Sequence, residues 1–142
     1  MNRLQFLHLN PDWNAEPNDP DLVVSPSVGA LELSFRLNPF AFAAAPGERA
    51  ILKFDQCCRW RWDETNDQMW FDGKGRFSDQ APRWGEFYEV MGYDRYASNL
   101  DWHIIGDDDP SARHFIFYFR DEAVECFAAE WSLTRHMPLS KP

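Results

Sequence analysis

The chain has 142 residues, with 23 acidic against 14 basic side chains and a net charge of −9 when histidine is neutral. A surface of that sign repels the phosphate backbone of nucleic acids, so direct DNA or RNA binding is not expected. Hydrophobic residues make up 44% of the chain, including twelve Phe and seven Trp; this argues against disorder and for one globular domain, 1–142, with a core dominated by rings.

Residues Met1 to Asn10 lack the basic run and apolar segment of a secretory signal. No run approaches the ~18 uninterrupted apolar residues of a membrane helix. Three cysteines, two of them adjacent, are the wrong arithmetic for a disulfide scaffold. A cytoplasmic protein with no membrane partner is the expectation.

In chain order, Arg3 to Leu9 reads as a short strand. An irregular segment follows, in which Pro11, Pro17 and Pro20 lie among turn-forming Asn and Asp residues and Trp13 supplies an anchor. Residues Ala30 to Leu37 alternate, with Leu31, Leu33, Phe35 and Leu37 opposing Glu32, Ser34 and Arg36, which predicts a half-buried strand. The segment from Phe40 to Ala45, bracketed by Pro39 and Pro46, reads as a buried loop or a single helical turn. Alternation from Ile51 to Trp62 predicts one long strand, with Leu52, Phe54, Cys58, Trp60 and Trp62 on one face and Lys53, Asp55, Cys57, Arg59 and Arg61 on the other.

Gln68 to Phe71 reads as another short strand, and the DGKG at 72–75 as a hairpin turn whose partner begins at Arg76 and Phe77. Trp84, Phe87, Tyr88 and Met91 fall at i, i+3, i+4 and i+7, with Pro82 before them and Gly92 after, which predicts an amphipathic helix. Strands are predicted over Leu100 to Ile105 and over Arg113 to Phe119, joined by the DDDP turn. The second is apolar on both faces and therefore central, with the helix covering one side. A turn at Arg120 to Glu122 leads to a last strand, Ala123 to Leu133, with Phe127, Ala129, Trp131 and Leu133 on its apolar face; Phe117, Phe127 and Trp131 are the expected core anchors. The sum is an α+β fold: a mostly antiparallel sheet of about five to seven strands with one or two helices packed on it.

No motif of a nucleophile elbow, phosphate loop or metalloprotease occurs, so no catalytic residue, metal or cofactor is assigned. In a strand, Cys57 and Cys58 point to opposite faces and cannot ligate one ion together; Cys126 reads as a core filler. His103 and His114 flank the DDDP turn, where a two-histidine site with Asp107 or Asp109 can be drawn against the simpler reading of a solvated turn. Asp107, Asp108 and Asp109 lack EF-hand spacing. Glu86 with Glu89, and Asp121 with Glu122, read as solvated charge. Arg59 and Arg61 could form a recognition strip on an exposed sheet face, or pair with acids on neighbouring strands.

The favoured function is a non-enzymatic, protein-binding chain of the acidic bacterial immunity or inhibitor type, whose partner is another protein, basic in character, with homo-oligomerisation also open. Its candidate binding residues are Arg59, Arg61, His103 and His114. The alternatives are a small-molecule or sugar-binding domain exploiting the Trp surplus and an enzyme built near His103 and His114 with Asp107 and Cys126.

Overall fold

The computed structural model describes residues 4–81 and 83–137. Arg3, read above as opening the first strand, and Pro82, read as preceding a helix, lie outside them. Ten strands form: β1 Gln5–His8, β2 Val23–Ser27, β3 Ala30–Arg36, β4 Arg49–Asp55, β5 Arg59–Glu64, β6 Phe87–Met91, β7 His103–Ile104, β8 Arg113–Tyr118, β9 Glu122–Ala128 and β10 Glu130–His136. They make two antiparallel sheets, a six-stranded one ordered β1-β6-β8-β9-β5-β7 and a four-stranded one ordered β10-β4-β3-β2.

The alternation of β3 and β4 drives the four-stranded sheet. Its register sets Leu31 against Phe54, Leu33 against Leu52 and Phe35 against Ala50, all buried, so large and small side chains interdigitate. These face Phe87, Phe115, Phe117, Val124 and Cys126 of the six-stranded sheet in one shared core. Ring pairs cross the interface: Phe35 with Phe117 at 5.4 Å and Phe54 with Phe115 at 5.3 Å. Trp13 closes one side, 6.0 Å from Phe35 and 5.9 Å from Phe117.

The α+β expectation is overturned, since 44% of the described residues are strand and 6% helical, and among them no helix has seven or more residues. The predicted helix at Trp84 to Met91 contains strand β6 instead. Phe87 enters the sandwich core while Tyr88 and Val90 pack on the outer face of the sheet. A strand buried on both faces puts apolar residues at successive positions, and such a run also satisfies helical spacing.

The predicted strand at Gln68 to Phe71 is a five-residue helix, α1 Asp67–Phe71, whose N-cap Asn66 accepts from the Met69 amide at 2.9 Å. The DGKG turn ends this helix, with Gly73 at φ +78°, and no partner strand follows. Of the strand predicted over Leu100 to Ile105 only the two residues of β7 form.

Two long predicted strands are each split between the sheets. The run Ile51 to Trp62 breaks at Gln56, which adopts φ +49°, and passes from β4 in one sheet to β5 in the other. The run Ala123 to Leu133 breaks at Ala129 and passes from β9 to β10. The second break reverses the alternation: Val124, Cys126 and Ala128 face the core, then Trp131 and Leu133 do. Phe127 therefore lies on the outer face rather than among the core anchors.

That outer face is covered by the loop-rich segment around α1, where Trp70, Phe77 and Ala81 pack on Tyr88, Val90, Ile116 and Tyr118. The Tyr118 hydroxyl donates to the Arg76 carbonyl at 2.5 Å and fastens the cover. Among the described residues no helix is long and apolar enough to cross a membrane.

Candidate functional site

Beneath the cover sits a cluster of buried charges. Antiparallel pairing places Glu125 of β9 between Ile116 of β8 and Arg61 of β5, so Arg61, Glu125 and His114 share the outer face of three adjacent strands. Two loops complete the cluster: Arg76 arrives from the cover and Asp94 from the turn after β6. His114 Nε2 lies 2.5 Å from Glu125 Oε2, and Arg76 bridges Glu125 Oε2 and Asp94 Oδ2, each at 2.5 Å. Arg61 is held more loosely, 3.4 Å from Glu125 and 3.4 Å from Asp101, and its Nε has no partner among the described residues.

Glu125 is 1% exposed. Burial opposes its charge, but the hydrogen bonds and charges of His114 and Arg76 outweigh burial and hold its carboxyl down at about 2. Burial likewise opposes the Arg76 charge and is outweighed by Glu125 and Asp94, which raise the pKa of that group.

A histidine oriented by a carboxylate can act as a general base when a reacting group lies beside it. Here the ring face is instead stacked on Phe127 at 4.3 Å. Ligand atoms of Asp94, His114 and Glu125 fall within 4.8 Å of one another. The position between the two carboxylates is nevertheless taken by the Arg76 guanidinium, so the donor set suits a protein cation better than a metal ion. The cluster acts as a clamp joining the cover to the sheet.

The residues singled out in the sequence are scattered around this clamp. Arg59 lies over Phe127 at 4.2 Å and Trp102 at 4.8 Å. Arg61 is buried, drawn into the clamp by Glu125, and offers no exposed strip with Arg59. His103 is exposed on β7, its ring 4.9 Å from that of Trp60. Strands β5 and β9 separate β7 from β8, so His103 and His114 are not on paired strands. Asp109 closes its own turn by accepting from the Ser111 hydroxyl at 2.7 Å and amide at 2.9 Å; these bonds lower its pKa. Cys57 and Cys58 sit in the bend between strands and both are buried, as is Cys126, whose thiol burial pushes up. Sequence reasoning missed Glu125, Arg76 and Asp94. The signal for the first was present: a lone Glu inside the apolar run Ala123 to Ala128.

The second feature is a cleft of about 560 Å³ at one end of the sandwich. The loop at 14–18, the turn at 84–86, the β8–β9 turn and the start of α1 enclose it. Gly85, at φ +82°, makes the tight turn that brings both Trp84 and Glu86 into the lining of this cleft. Trp84 is braced by Tyr118 at 5.2 Å and by Trp70 at 5.9 Å. Glu86 Oε2 is 3.0 Å from His8 Nε2 and accepts from Asn14 Nδ2 at 3.3 Å.

Glu16, Asp67 and Asp121 also line the cleft, against the single cation Arg120, whose Nε is 3.7 Å from Asp121. A second cleft of about 280 Å³ adjoins it through Asn18, Arg120 and Asp121 and extends the acidic groove with Glu122, Asp19 and Asp21, the last two paired with Arg36 at 2.9 Å and Arg49 at 3.0 Å. Burial, helped by the charges of Asp121 and Glu64 and opposed by a hydrogen bond to Trp62, raises the Glu122 pKa. A scan against protein-family models and searches of curated proteins and of solved structures found no match for the chain.

Proposed function

We propose that the protein is a non-enzymatic binding protein that docks a basic segment of another protein along this acidic groove. The observation that carries the reading is the imbalance of charge in the larger cleft, where four carboxylates meet one arginine beside an aromatic ring. Carboxylates crowded in a concave site focus a negative potential, which speeds encounter with a cationic partner and favours it once bound. The clamp at Glu125, with its charges already paired, supports a structural rather than a catalytic role for the buried histidine.

Calorimetry with a Lys/Arg-rich peptide and with a neutral peptide of equal length, at low and high salt, tests this. The basic peptide is expected to bind at low salt and to weaken as salt rises. The combined variant Asp67→Asn, Glu86→Gln, Asp121→Asn is expected to lose about tenfold or more in affinity, the scale of one well-placed charge pair. Equal binding of the neutral peptide, or full retention of affinity by the variant, would overturn the reading.

A further inference from the structure

We infer that β10 is a dimerisation edge, along which a second copy of the chain pairs antiparallel about a two-fold axis through Leu133. This goes beyond the acidic-groove reading and is independent of it, since no residue of β10 lines either cleft. β10 borders the four-stranded sheet and pairs with β4 along its whole length, from Glu130 against Asp55 to His136 against Arg49. Among the described residues its backbone bonds to β4 alone, so the N–H and C=O groups of its other side stand open. The remaining sheet edges are short or guarded: β1 has four residues, β7 has two, and β2 carries Pro26, which has no N–H to offer. β10 has seven residues, none of them Pro, Gly or Lys. An edge of that length without such guards is a template for a further strand.

The sequence of β10 fits a second copy of itself. Residues facing each other in an antiparallel ladder lie on the same side of the sheet, so a strand paired with its own copy must match positions of equal parity. Only the axis through Leu133 matches every residue of β10; axes through Ser132 or Thr134 match Glu130–Thr134 or Ser132–His136 alone. About Leu133, Glu130 faces His136 of the second copy at both ends, a carboxylate against an imidazole. Ser132 faces Thr134, two hydroxyls able to bond each other, and Leu133 meets Leu133. Trp131 and Leu133 pack on the shared core yet remain half-buried at its open margin, which a second Leu133 would cover. The net charge of −9 opposes self-association, but β10 carries one Glu with Arg135 and His136, so the edge itself is not acidic. For the same reason a basic strand of another protein has little here to recognise.

Sedimentation equilibrium of the full chain at about 10–100 µM, a range suited to a small interface, tests the pairing. A mass that rises with concentration toward twice 16.7 kDa is expected. Ser132→Lys with Thr134→Lys sets lysines opposite one another on both sides of the axis. Both positions are exposed, and this variant is expected to stay at the monomer mass with an unchanged far-ultraviolet dichroism spectrum. The added lysines lessen the net charge of −9, so overall repulsion cannot account for that loss. His136→Glu sets a carboxylate against Glu130 of the second copy at each end and is expected to weaken the dimer about tenfold; adding Glu130→Lys is expected to restore it to within about threefold of the native chain. A monomer mass for the native chain throughout the range, or a dimer that survives the two lysines, would overturn the edge. A His136→Glu chain that dimerises as tightly as the native one, or a loss that Glu130→Lys does not repair, would overturn the axis through Leu133.

Discussion

His114 Nε2 and Glu125 Oε2 lie 2.5 Å apart on the sheet face turned away from the sandwich core, with the Arg76 guanidinium on the same carboxylate oxygen. Removing the carboxylate leaves the buried Arg76 with Asp94 alone, Arg61 with only its looser contacts to Asp101 and Asp63, and His114 without its partner. Glu125→Gln is expected to cost about 3–5 kcal/mol, the range for breaking a buried pair by deleting one partner. Urea titration checks this, and a loss below 1 kcal/mol would mean the clamp contributes no more than a surface pair.

The same carboxylate sets an acid dependence. In the fold its pKa is about 2 against an ordinary 4.5, so the folded state favours the ionised form. The stability it contributes is fully present above the unfolded value and is lost as pH falls from there toward 2. Urea midpoints measured down that interval should decline more steeply for the native chain than for Glu125→Gln. Parallel slopes would contradict the assignment.

Phe117 is 1% exposed, stacked on Phe87 at 5.2 Å and Phe119 at 4.1 Å. Phe117→Ala should cost about 3–5 kcal/mol through lost burial and the cavity left behind. Asp108→Ala, at an exposed turn position, should stay within about 0.5 kcal/mol. Denaturant midpoints of the two variants give the comparison.

At Gly106 the chain passes so close to the bend before β5 that an added Cβ would meet the Cys57 carbonyl oxygen at 2.7 Å and the Cys58 Cα at 3.5 Å. Backbone atoms cannot swing aside, and the Cys58 carbonyl already accepts from the Ile105 amide at 3.0 Å and the Gly106 amide at 3.2 Å. Gly106→Ala should destabilise by about 1–3 kcal/mol, as for other overpacked sites. A melting temperature equal to that of the native chain would show that the bend yields.

By itself the sequence determined the strands whose two faces differ. Leu31, Leu33 and Phe35 against Glu32, Ser34 and Arg36 could only be a strand with one side buried, and the hairpin joining Phe119 to Glu122 followed from a turn between two apolar runs. The preponderance of acids, too, was plain before any fold was known. What tertiary structure decided was which sheet each strand joins. Alternation has a period of two wherever a strand lies, so a run that leaves one sheet at Gln56 or Ala129 and enters the other still looks continuous. The same limit hid β6, because Phe87 buries on one face and Tyr88 and Val90 on the other, so its apolar residues do not alternate and match helical spacing as well. The clamp and the groove were hidden for a further reason. Glu125 and His114 meet through strand pairing, but Arg76, Asp94, Trp84 and Asp67 come from loops and a short helix, and only the packing of the cover on the sheet brings them beside residues far away in the chain.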